Sequence, residues 1–170
     1  MTGLSITVRS IVALATILVL TASCRARESN TQNSATASTT VASQRLDNRQ
    51  SVVDSTAAII RQYYSAIQSR RYDDAYVVWS DSGRASGQTP AGFAAGFAQT
   101  ASVNVTVGDS VHIEGAAGSQ YATVPVTVDA TLLSGERQHF VGTYTLRRSL
   151  VDGASPEQRA WQIYSADLRR

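Results

Sequence analysis

The sequence predicts an α+β fold in which three N-terminal helices pack on a curved four-stranded antiparallel sheet. Three observations carry this expectation. Apolar residues recur at helical spacing from Val53 to Ile67, and the repeat changes to a period of two from Ser102 onward. The strands so defined are joined by links too short for a parallel crossover, so neighbours are antiparallel. Helices gathered before such a sheet pack on one of its faces.

The first helix is expected over 51–69. Val53, Ala57, Ile60, Tyr64 and Ile67 lie on one face, while Arg61, Gln62, Ser65 and Gln68 lie largely off it. Arg70 and Arg71 follow, placed favourably against the C-terminal dipole. A second helix fits 72–79, with Asp73 and Asp74 in its first turn and Ala75, Tyr76 and Trp79 inward. Residues 81–88 are polar and contain glycine, which reads as a loop. Thr89 then stands as an N-cap before Pro90 at the first helical position, and Phe93 and Phe97 open the third helix onto the core at i, i+4.

The first strand alternates through Val103, Val105 and Val107, is interrupted at Gly108-Asp109 and resumes from Val111 to Ile113. After a turn marked by Gly115 and Gly118, Ala122, Val124, Val126, Val128, Ala130 and Leu132 alternate with Thr123, Thr127, Asp129 and Thr131. Ser134-Gly135 reads as a two-residue hairpin turn. The return strand runs over 137–150 with Phe140, Gly142, Tyr144 and Leu146 on one face. A loop over 152–156 leads to a last strand over 160–168, where Trp161 and Ile163 share a face. Pro125 assigns its strand to an edge or a bulge, and Gly142 marks a bend.

Composition bounds the chemistry. The chain has 170 residues, of which 43% are hydrophobic, enough for a core in a single domain with appendages. All fifteen basic residues are arginine, and Cys24 is the single cysteine. Disulfide scaffolds, cysteine-based zinc ribbons, Schiff-base lysines and P-loop ATPases are thereby excluded. From Gln50 onward ten arginines face eleven acids, so the domain lacks the basic balance of a nucleic-acid binder.

The first 24 residues read as an address. A short basic start ending at Arg9, an apolar run from Ile11 to Leu20 and the small residues Thr21, Ala22 and Ser23 form the three-part plan of a signal peptide. The apolar run is too short to span roughly 30 Å of hydrocarbon. Leu20-Thr21-Ala22-Ser23-Cys24 resembles the bacterial lipobox. That resemblance implies a lipoprotein signal peptide over 1–23, cleaved before an acylated (palmitate-type) Cys24. It implies a membrane partner through the N-terminal lipid and a place in the cell envelope. Arg25, where an aspartate would resemble an inner-membrane retention signal, points to the outer membrane facing the periplasm. Residues 24–49 then form the lipidated cysteine and a Ser/Thr/Ala-rich flexible tether, because 28–44 contains Val41 as its one large apolar residue. The folded domain is expected over 50–170.

Within that domain, Ile59-Ile60-Arg61-Gln62-Tyr63-Tyr64-Ser65-Ala66-Ile67, then Arg71-Tyr72-Asp73-Asp74-Ala75-Tyr76, and finally Trp161-Gln162-Ile163 on the last strand resemble the nuclear transport factor 2-like superfamily, also called cystatin-like or cone fold. The likeness runs over about 51–168. It implies a bent sheet wrapped round the first helix and a conical pocket. The superfamily holds isomerases, dehydratases, cyclases and non-catalytic domains, so fold alone assigns no activity.

The candidate side chains differ in chemistry. His112 and His139 lie in strands and read most simply as surface or half-buried strand residues. Asp129 lies opposite the valine face, where a solvated or helix-paired carboxylate is the simpler reading than a general base. Tyr63, Tyr64, Tyr76, Trp79, Tyr144 and Trp161 are the candidates to line a pocket, with ordinary core packing as the competing role. No catalytic constellation, metal-ligand set or cofactor motif is expected. The functional expectation is a lipid-anchored envelope protein with a non-catalytic binding or accessory domain for a small hydrophobic ligand or an envelope protein. The alternative is an isomerase- or dehydratase-like enzyme for a small hydrophobic substrate, using Asp129 or His112 beside Tyr144. A homodimer through the outer sheet face is a further expectation.

Overall fold

The computed structural model describes the backbone of residues 28–170 and the side chains of residues 40–170. The expected signal peptide over 1–23 and Cys24 lie outside the described residues. The chain divides between Ala42 and Ser43 into two units. Residues 28–42 of the first unit are helical; the sheet and the aromatic residues belong to the second. The described elements are α1 (Glu28–Gln68), α2 (Tyr72–Tyr76), a 3-10 turn (Arg84–Ser86), α3 (Pro90–Gly96), β1 (Thr100–Val107), β2 (His112–Ala116), β3 (Ser119–Leu132), β4 (Arg137–Ser149), α4 (Pro156–Arg159) and β5 (Gln162–Arg169). Among the described residues no helix is long and apolar enough to cross a membrane.

The inner half of α1 matches the expected face except at Val53, which is half-buried, and broadens it. Val52, Thr56, Ala57, Ile60, Tyr63, Tyr64, Ala66 and Ile67 are buried. Thr56 is fully buried because its hydroxyl donates back to the carbonyls of Val52 and Val53, at 2.9 and 3.1 Å. The helix closes on Arg70 in the left-handed conformation, with the amides of Arg70 and Arg71 bonded to the carbonyls of Ile67 and Ala66. This is a Schellman closure on a non-glycine residue. The arginine pair thus closes the helix as expected, with Arg70 shaping the turn and Arg71 also pairing with Asp74 at 2.7 Å.

The helix starts at Glu28, not near Ser51, so the coil expected over 28–44 is helical. The segment 28–68 contains neither glycine nor proline. Nothing in it stops hydrogen bonding from propagating out of the packed half, once nucleation has been met there. The premise of the coil expectation, too few apolar groups for packing, does hold where side chains are described: residues 40–51 are all exposed. Over 40–51 the helix gains little from burial, and its long-range tie is the Arg49 guanidinium on the Val111 carbonyl, so amides N-terminal to Arg49 open easily. Hydrogen exchange should show protection rising sharply between Arg49 and Val52. Uniform protection over 43–68 would contradict this account.

The sheet has five strands where four were expected, in the order β1-β3-β4-β5, with β2 also beside β3. All pairs are antiparallel. Gly108-Asp109 divides the expected first strand into β1 and β2, which share β3 end to end. Pro125 explains the split. The strand is central, neither edge nor bulged there, which corrects the expectation. The β1 register ends at Val107 opposite Val126, and the β2 register begins at His112 opposite Thr123. Pro125 falls in the gap, where its carbonyl accepts from the Gly108 amide at 2.9 Å. The missing N–H faces the same side, where no strand is left to accept from it.

Two other boundaries moved for local reasons. α2 stops at Tyr76, short of Trp79, because residues 78–80 leave the helix to pair with β5. Ile163 donates to the Val78 carbonyl and accepts from Ser80, at 2.9 and 2.8 Å. The expected loop before the last strand ends in one helical turn, α4, held by a capping box. Ser155 Oγ accepts from the Gln158 amide, and Gln158 Oε1 accepts from the Ser155 amide. Thr89 and Pro90 behave as expected, the Thr89 hydroxyl accepting from Gly92 at 3.1 Å.

Even-numbered residues of β3 and β4 face the helices. Ala122, Val124, Val126 and Val128 oppose Leu146, Tyr144, Gly142 and Phe140 on that inner face. With Ile60 and Ile163 they make the core. Odd-numbered residues form the outer face, where Thr123 opposes Thr145 and Asp129 opposes His139.

Candidate functional site

The six aromatic candidates are all buried in one core, but they are not all in ring-to-ring contact. Tyr63 and Tyr64 of α1, Trp79 and Tyr144 of β4 meet in a four-ring cluster. Tyr63 lies with its centroid 5.0 Å from Tyr64, 6.2 Å from Trp79 and 6.1 Å from Tyr144, in edge-to-face contacts. Tyr64 and Tyr144 join their hydroxyls at 2.7 Å inside the core. Two consecutive tyrosines can both point inward because they straddle the centre of the buried stripe of α1. Tyr76 joins the four rings through Phe93, which lies 5.5 Å from Tyr76 and 6.3 Å from Tyr63, and its hydroxyl donates to the Gln88 carbonyl. Trp161 carries the Arg148 guanidinium 4.8 Å above its ring.

Burial sets the electrostatics of the cluster. It pushes the hydroxyls of Tyr63, Tyr64 and Tyr144 far above their ordinary value near 10, with the close approach of one phenol to another adding to the rise for Tyr63 and Tyr144. All three remain neutral and protonated at any physiological pH. The indole N–H of Trp79 lies near the Tyr63 hydroxyl, buried and short of hydrogen-bond geometry with any partner. A buried orphan donor is rare and costs about 1–3 kcal/mol. The cluster therefore gathers three neutral hydroxyls, two of them bonded to each other, and the Trp79 N–H beside the Tyr63 hydroxyl, among apolar rings. It holds no group that would take a proton.

The ionisable candidates lie elsewhere. Asp129 and His139 pair across the strands at 2.7 Å on the outer face, with side chains about 60% exposed. His112 pairs with Glu114 at 2.8 Å, also exposed. His112 sits opposite Thr123, so it shares the outer face with Asp129 about 20 Å away along β3. Tyr144 projects from the inner face, opposite Val124. The constellation of Asp129 or His112 beside Tyr144 is thus not assembled. Among the described residues no group of three or more His, Cys, Asp or Glu side chains is placed to hold a metal.

Sequence patterning missed the orphan N–H of Trp79, which only packing reveals. It also missed a cleft between α1 and the β1–β2 connection, whose members are far apart in the chain. The Asp129–His139 pair was missed because it depends on the hairpin register, which the expected two-residue turn misplaces by one residue.

No protein-family model matches the chain, and a search of curated proteins finds no match. Among solved structures it is similar to a candidate dehydratase of the nuclear transport factor 2-like family from Streptomyces avermitilis. Identity is 15%, coverage is 71% of this chain and 96% of that one, and the TM-score is 0.48. A nuclear transport factor 2-like superfamily protein from Salmonella enterica aligns at 11% identity over 71% and 91% of the two chains, with a TM-score of 0.49. A candidate scytalone dehydratase from Novosphingobium aromaticivorans aligns at 10% identity over 73% and 87%, with a TM-score of 0.48. Identities and TM-scores this low carry no activity over to this chain. What its own fold and site define is an α+β domain with an antiparallel five-stranded sheet and a neutral, hydroxyl-bearing aromatic cluster between helix and sheet.

Proposed function

We propose that this is a lipid-anchored cell-envelope protein whose domain is a non-catalytic binding or accessory module. The observation that carries the module reading is the make-up of the inner cluster. Its polar groups are three phenols held neutral by burial and one indole N–H. The histidines and Asp129 are exposed on the other side of the sheet. Donors without a base recognise an acceptor oxygen on a small apolar molecule but move no proton. Anchoring rests on residues 1–24, whose plan ends at Cys24.

A second reading is favoured by the same donors: an isomerase- or dehydratase-type enzyme in which Tyr64 and Tyr144 polarise a substrate carbonyl. It needs a base that the cluster does not contain. One set of preparations tests both. Cell fractionation with mass spectrometry of the mature N-terminus should find acylated Cys24 in membranes, and Cys24→Ala should release the protein. Unchanged membrane association would end the anchoring claim. The purified protein should leave small unsaturated and hydroxy ketones unchanged. Turnover that is lost in Tyr144→Phe would replace the module reading with the enzyme.

A further inference from the structure

We infer that the cleft between α1 and the β1–β2 connection is a binding site for a short zwitterionic peptide, of the size of a dipeptide with small side chains. The cleft is about 170 Å³, lined by Val53, Asp54, Ala57 and Arg61 of α1 and by Val107 and Asp109. It is separate from the aromatic cluster and uses none of its residues.

Charge and shape select the ligand. Val53, Ala57 and Val107 supply an apolar floor. The side chains of Arg61 and Asp109 line the cleft without a hydrogen-bond or ion-pair partner among the described residues. Asp54 accepts from Gln50 Nε2 through one oxygen, at 2.9 Å, leaving the other free. The site therefore presents one unused cation and two carboxylates with free acceptors. Asp54 and Arg61 are seven residues apart, two turns on the same helix face, which separates them by about 10 Å along the axis. An extended dipeptide spans about 7 Å. Its ammonium would then reach the carboxylate end and its carboxylate the guanidinium, each with a hydrogen bond of ordinary length. A singly charged ligand would leave one pole unanswered. The volume is below the roughly 300–1,000 Å³ typical of pockets for drug-sized molecules, so a larger peptide would not be enclosed.

The walls are preformed. Arg49 donates from Nη2 to the Val111 carbonyl at 2.9 Å, tying the helix to the connection just beyond the cleft. The Gly108 amide is fixed on Pro125, and a Cβ at Gly108 would come within 3.0 Å of the proline ring. A binder whose walls are already held loses little to ordering on association.

The test is NMR titration of the ¹⁵N-labelled full chain with L-alanyl-L-alanine, its N-acetyl form and its C-terminal amide. Saturable shifts are expected at the amides of 50–61 and 107–109, and each capped form should bind about tenfold more weakly or worse. Arg61→Gln should weaken the free dipeptide yet leave the amide form unaffected. Asp109→Asn should weaken the free dipeptide and leave the acetylated form nearly unaffected. Both positions are exposed, and circular dichroism will show that the fold persists. Shifts elsewhere, equal binding of capped and free peptides, or no saturable shift up to tens of millimolar would each overturn the proposal.

Discussion

Replacing Gly142 by alanine is expected to destabilise the domain by about 3 kcal/mol or more, the upper end of what overpacking costs. Gly142 sits on the inner face of β4, opposite Leu168 of β5. A Cβ built there would lie 1.9 Å from the Asp167 carbonyl oxygen and 2.9 Å from the Leu168 Cα. Both are backbone atoms of a paired strand, so no rotamer change relieves the clash. β5 would have to move away from β4, and β5 is not free to move. Its first half is bonded to residues 78–80, and Ile163 is fully buried in the core. The substitution thus sets the β4–β5 ladder against the core. Gly135→Ala is the matched control: that glycine has positive φ but open space around it, so it should cost only about 1 kcal/mol for the left-handed backbone. Urea unfolding of the two variants decides the matter. Equal midpoints would mean that β5 does not approach β4 as closely as described.

Where the sequence was legible, a local rule and a tertiary contact agreed. The stripe through Ala57, Ile60, Tyr64 and Ile67 is buried as its period required. Thr89 and Pro90 start a helix because capping chemistry needs only neighbouring residues. The Ser155–Gln158 capping box follows the same local rule and was readable as S-x-x-Q, though a loop was the expectation. The failures are mostly non-local. Pro125 argued for an edge strand because a sequence cannot show that the neighbouring strand is broken opposite it. The N-terminal extension of α1 follows from the absence of a stop signal, which is weaker evidence than the presence of one.

The hairpin illustrates how one turn residue controls a site. A two-residue Ser134-Gly135 turn would set Asp129 opposite Phe140. The observed connection leaves four residues between the strands and sets Asp129 opposite His139. A shift of one residue in register exchanges a core partner for a surface one. It accounts for the exposed ion pair that sequence patterning placed only loosely. The aromatic candidates were found, but their grouping was not. Tyr64 and Tyr144 are 80 residues apart and meet only through packing of α1 on β4.

That buried grouping sets the protein's response to alkali. The folded-state pKa values of Tyr63, Tyr64 and Tyr144 are raised by burial, whereas in the unfolded chain each phenol ionises near 10. Below about pH 10 both states hold these protons, and stability is insensitive to pH. Above it the unfolded chain releases three protons that the folded chain retains, so stability falls as pH rises. Each group contributes about 1.4 kcal/mol per pH unit, or about 4 kcal/mol per unit for the three together. A domain stable by about 5–15 kcal/mol would therefore unfold cooperatively between about pH 11 and 13. Tyrosinate absorbance followed beside far-ultraviolet circular dichroism should show Tyr63, Tyr64 and Tyr144 ionising only as the secondary structure is lost. Tyr144→Phe should cost about 1 kcal/mol at neutral pH, because the Tyr64 hydroxyl loses its partner. It should also lower the alkaline slope to about 3 kcal/mol per pH unit, since two retained protons remain. All seven tyrosines ionising while the dichroism is unchanged would show that the cluster is open to solvent. The donors assigned to ligand recognition would then be ordinary exposed phenols, so this titration bears on the binding reading as directly as on stability.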